Sequence, residues 1–206
     1  MNRRPVLGVA ALAASALALA LPAQATVFQY TMVLNGASEN PPNGSPGIGN
    51  ATLAYDDVAH TLALDITFSG LSSGTTASHL HAVTATSGRG GDAAASAVAN
   101  VGIATTVPSL VGFPLGVTSG SYSDVLDLTD PASWNPDFVA AQGGIAQAEQ
   151  ALANALEEGR TYWNVHTMEF PGGEIRGFPV PAPEPGLAGL LVLGLVALGK
   201  RRPRLG

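Results

Sequence analysis

The sequence predicts a mainly β protein, an antiparallel β-sandwich with one short crossover helix. Three observations carry that prediction. Apolar residues alternate with polar or small ones in several short runs, the period of a half-buried strand. Breaks rich in Gly, Pro and Ser separate those runs. One segment alone changes to a helical period.

Phe28, Tyr30, Met32 and Leu34 form the first alternating run. Ala51, Leu53 and Tyr55 form the second, and Leu62, Leu64, Ile66 and Phe68 the third. Residues 56–60 read as a hairpin turn and 69–75 as a Gly/Ser loop. Further strands are expected over 77–84, 95–101, 121–128, 161–167 and 174–178. Pro171-Gly172-Gly173 should reverse the chain between the last two. Ile145, Ala148, Leu152, Ala155 and Leu156 recur at helical spacing, Gly159 ends that helix, and Asn135-Pro136 opens a turn before it. Its exposed face carries Glu149, Glu157 and Glu158 rather than Lys or Arg, which excludes a membrane-surface helix. Many short strands with turn signals suit a sandwich or a barrel.

The ends differ from the middle. Met1–Arg4 is basic, Val6–Leu21 is apolar, and Ala23-Gln24-Ala25 places small residues at the −3 and −1 positions of a cleavage site. Residues 1–25 therefore read as a signal peptide cut by signal peptidase after Ala25. Pro183-Glu184-Pro185 opens a tail, residues 181–206, in which 186–199 are uncharged and a basic cluster follows. Fourteen residues rise about 21 Å as a helix, short of a hydrocarbon core about 30 Å thick. The basic end should stay cytoplasmic, leaving the domain of residues 26–180 outside, tethered for a time to the inner membrane.

The 206 residues include no cysteine, so neither a disulfide framework nor thiolate chemistry is available. Between Thr26 and Val180 stand three basic residues, Arg89, Arg160 and Arg176, against fourteen acidic ones, a formal charge of −11. Such a surface repels phosphate backbones and excludes nucleic-acid binding.

His79-Leu80-His81 is the most suggestive chemical pattern. Residues two apart on a strand face one side, so the two imidazoles point together and Leu80 points to the core. His166 sits on another expected strand. Without cysteine, three histidines are a candidate copper or zinc site. Glu174 and Arg176 are also two apart, and Glu39 lies in the turn Glu39-Asn40-Pro41-Pro42. A scarce arginine in an acidic domain should find a carboxylate, so Glu39, Glu174 and Arg176 read as a structural ion pair clamping that turn. A general acid/base pair of Glu39 and Glu174 is a lesser reading. Trp134, Tyr162 and Trp163 suit core packing better than a sugar-binding surface. Gly88–Asp92 reads as a flexible loop. No G-x-S-x-G, H-E-x-x-H or P-loop motif is present, so no catalytic residue is expected.

Two families are resembled. The tail, with Pro-Glu-Pro, short apolar helix and basic end, resembles the PEP-CTERM sorting signal, although Gly186 stands where Ser or Ala is common. That resemblance implies recognition by an exosortase-like enzyme, removal of the tail, and delivery to the cell envelope or extracellular matrix. Residues 34–42, His79-Leu80-His81, residues 162–167 and residues 170–177 are similar to the CHRD domain. Asn40 replaces a usual Val, and Ala82-Val83 replaces a usual Gly-Pro. The resemblance implies an extracellular β-sandwich module with no settled enzymatic activity; chordin's growth-factor binding does not carry over to the bacterial chain that the PEP-CTERM resemblance implies. The three histidines are also similar to the copper ligands of copper-zinc superoxide dismutase, whose cysteines are missing here, so the sandwich is expected to be immunoglobulin-like or superoxide-dismutase-like. The expected function is an exported, non-enzymatic envelope or matrix module contacting exopolysaccharide or surface proteins. The alternative is a histidine-based copper or zinc binding domain, redox-active or not.

Overall fold

The computed structural model describes residues 26–83 and 102–183. The signal peptide with Ala23 and Ala25, the loop at 88–92, the strand expected at 95–101, Glu184, Pro185 and the tail helix 186–199 lie outside the described residues. Pro183 is the last described position.

Eight strands form one antiparallel sheet: β1 (Val27–Asn35), β2 (Ile48–Asp56), β3 (Thr61–Ser69), β4 (Thr75–Ala82), β5 (Gly120–Asp127), β6 (Thr161–Thr167), β7 (Ile175–Gly177) and β8 (Val180–Pro181). Their order is β4-β6-β7-β1-β2-β3-β5, with β8 also on β1. The expectation of a sandwich is corrected here. The strands bond along a single path that curls into a half-barrel, rather than as two stacked sheets. β1 meets β7 at one register pair, Asn35 with Arg176, and meets β8 at Tyr30 and Thr31.

Alternation decides what the sheet buries. Tyr30, Met32 and Leu34 of β1, Leu53 of β2, and Leu62, Leu64, Ile66 and Phe68 of β3 are buried in one core. Val33 and Val125, on the opposite face, are exposed. The hairpin turn between β2 and β3 falls where expected, with His60 in the left-handed region at φ 54°.

Two helices follow β5, where one was expected. The first, α1 (Pro136–Gln142), is complete in seven residues. Asn135 accepts from the Asp137 N–H at its start, Pro136 opens it, and Gly143 closes it at φ 94°. It is too short to display a helical period, so the sequence revealed only its capping residues. The second, α2 (Ile145–Glu157), carries the chain back from β5 to β6. Its buried stripe is Ala148, Glu149, Leu152, Ala155 and Leu156; the apolar members join the core, and Glu149, expected on the exposed face, is buried against Tyr55 and His60. No helix among the described residues is long and apolar enough to cross a membrane.

Candidate metal centre

β6 is buried along its whole length except at His166, which is half-buried. Its Trp163 and Val165 enter the core, and Trp163 Nε1 donates to Ser78 Oγ at 2.7 Å. The alternate residues Tyr162, Asn164 and His166 share the other face. β4 pairs with β6 so that His81 stands opposite Tyr162, His79 opposite Asn164, and Ala77 opposite His166. The pairing therefore puts all three histidines on one face, with His79 and His166 diagonal neighbours. Leu80 is fully buried in the core, as expected.

One ring nitrogen from each of His79, His81 and His166 lies within 4.8 Å of the others. His79 Nε2 is 2.6 Å from the Pro108 carbonyl oxygen, and His166 Nδ1 is 2.9 Å from that of Pro171. A carbonyl only accepts, so these two nitrogens carry the ring protons. The remaining nitrogens, His79 Nδ1 and His166 Nε2, then present lone pairs to each other at 3.3 Å. Two facing lone pairs repel, and a positive charge between them would relieve the repulsion. A proton is disfavoured there: burial pushes His79 down to about 4, and burial likewise lowers His166, with the Arg176 charge adding to it. A metal ion suits the pair. Tetrahedral imidazole ligands at about 2.0–2.1 Å from zinc sit about 3.3 Å apart, the separation already present. Hydrogen bonds to backbone carbonyls of this kind are what orients histidines where they ligate a metal. His81 is held differently, its ring stacked on Tyr162 at 4.4 Å and 10°.

The expected ion pair forms with one of its two carboxylates. Arg176 Nη2 lies 2.7 Å from Glu39 Oε2, and both side chains are buried. The arginine also covers the Tyr162 ring, 4.0 Å from its centroid. Burial pushes the Glu39 carboxyl up, and Arg176 pulls it back. Gly173, at φ 130°, leaves room for this carboxylate, since a β-carbon there would overlap Glu39. Glu174 belongs to a separate cradle. Ser45 Oγ and the Ser72 N–H donate to its Oε1, and Thr167 Oγ1 to its Oε2, each at 2.6 Å. Burial works against the charged form, but these hydrogen bonds outweigh it and hold the carboxyl below its ordinary range. Glu39, sealed against Arg176, is unavailable as a general acid or base, so the acid/base reading of Glu39 with Glu174 falls. Trp134, Tyr162 and Trp163 are buried, so none forms an exposed sugar platform.

Residues 30–178 match the family model for the CHRD domain. The chain belongs to the CHRD domain family. No curated protein and no solved structure matched the chain. Within this CHRD domain, the sequence pointed to all three histidines through His-x-His and the period of β6. It did not point to Pro108 and Pro171, because backbone acceptors in loops carry no side-chain signature.

Proposed function

We propose that this CHRD domain is a non-enzymatic metal-binding module of the cell exterior, holding copper or zinc through His79, His81 and His166. The observation that carries the reading is the meeting of His79 Nδ1 and His166 Nε2 at 3.3 Å while their other nitrogens face carbonyls. Imidazole nitrogens suit both metals, and a chain without cysteine offers no softer ligand. The three ring nitrogens lie within 4.8 Å of one another, at most about 1.5 Å beyond the tetrahedral value, and side-chain rotation on binding would have to close that difference. The sequence of the two ends supports the location. Signal peptidase would release the domain after Ala25. An exosortase-like enzyme would then process the tail at Pro183-Glu184-Pro185, after a transient stay at the inner membrane. Exopolysaccharide or surface proteins are the neighbours such a module would meet.

Elemental analysis and titration with copper and zinc test the reading. One equivalent of metal should bind per chain. His166→Ala, at a half-buried position, should remove that binding while the fold persists. Absence of stoichiometric metal, or equal binding by His166→Ala, overturns the proposal.

A further inference from the structure

A second cleft, about 380 Å³ in volume, lies between the start of β1, the β2–β3 hairpin and α2. Phe28, Tyr30, Tyr55, His60, Glu149 and Glu157 give it its character. With Asp57 it holds three carboxylates, and no Lys or Arg is among its described lining residues. Two of those carboxylates are engaged. Glu149 accepts from Tyr55 at 3.0 Å and pairs with His60 Nδ1 at 2.9 Å. Asp57 accepts from the Thr26 N–H at 3.1 Å. Glu157 makes no hydrogen bond to a described residue.

An independent observation points to a ligand. Tyr30 is 5% exposed, yet it lines the cleft and its hydroxyl has no hydrogen-bond partner among the described residues. The hydroxyl oxygen is not among the buried polar atoms left without a partner, so it opens into the cleft, where a bound donor or acceptor would pair with it. Burial pushes the pKa of this phenol up, and Glu157 lies close enough to push it up further, so the hydroxyl keeps its proton. One wall is apolar: Phe28, 41% exposed, stacks on Tyr55 with centroids 6.1 Å apart.

We infer that this cleft binds a small organic cation, an ammonium head on an apolar stem. The head would sit between the Glu157 carboxylate and the Tyr30 hydroxyl, which accepts one of its N–H bonds. The stem would lie along Phe28 and Tyr55, whose ring faces also attract cations. An anion is repelled by the three carboxylates. A neutral polyol satisfies the phenol but brings no charge to Glu157. The site shares no residue with the histidine trio, so it stands whether or not the domain takes a metal.

The test follows NMR shifts of the full chain titrated with four probes: hexylamine, hexanol, hexanoate and glucose. The first three share a stem and differ in head charge. Hexylamine alone should give saturable shifts at Phe28, Tyr55 and His60, weakened by added salt. Glu157 is exposed, so Glu157→Gln should fold as the parent does and bind hexylamine about tenfold less tightly. Tyr30→Phe should weaken it to a smaller degree. Absence of saturable shifts overturns the inference, as does equal binding of hexanol or glucose, or an unchanged affinity in Glu157→Gln.

Discussion

Arg176→Met should destabilise the domain by about 3–5 kcal/mol, read as a lower midpoint in urea or thermal unfolding. The size follows from what is left behind. Glu39 is 3% exposed and would keep its carboxylate buried without the guanidinium at 2.7 Å. A buried charge that loses its partner must take up a proton or draw in water, and both oppose folding. Burial already pushes this carboxyl up, so protonation is the expected escape. The double variant Glu39→Leu/Arg176→Met should recover much of the loss, because desolvating two charges roughly offsets their attraction. Equal instability in the single and double variants would mean that the arginine acts by packing on Tyr162 instead.

Metal loading should stabilise the fold by about 4 kcal/mol when free metal is a thousandfold above its dissociation constant. For a chain of this size that corresponds to a rise of roughly 10 °C in the unfolding midpoint. A chelator should reverse it. The reason is that His79 and His166 are assembled only in the folded sheet, through the β4–β6 register that makes them diagonal neighbours. His166→Ala should unfold at one temperature with or without metal. His166 is half-buried, and its replacement leaves the Trp163 and Val165 face of β6 in place. An unshifted midpoint in the parent protein, at saturating copper and at saturating zinc, would contradict a site built by folding.

The strands were legible because their signal is local. The period of two in Leu62, Leu64, Ile66 and Phe68 is also the burial pattern of β3. The partnering of strands was not legible in that way. Whether β1 closes against β7 and β8 or faces a second sheet depends on long-range pairing, which no window of sequence encodes. The candidate site divides along the same line. His79 and His81 were paired by strand geometry alone, and β6 carried His166. Their convergence needed β4 beside β6. For the ion pair, scarcity of arginine foretold a carboxylate partner for Arg176. It did not foretell which carboxylate, because Glu39 is brought in by a turn about 140 residues away in sequence. Glu174, two residues from Arg176, is satisfied instead by Ser45, Ser72 and Thr167. The pairing of His60 with Glu149 was missed for the same reason, since it joins a hairpin turn to a distant helix.

X-ray absorption spectroscopy of the metal-loaded full chain tests the histidine centre most directly. The predicted result is three imidazole nitrogens at about 2.0–2.1 Å from the metal, falling to two in His166→Ala if any metal is retained. A first shell of oxygen ligands without imidazole scattering, or a spectrum unchanged by His166→Ala, would contradict it.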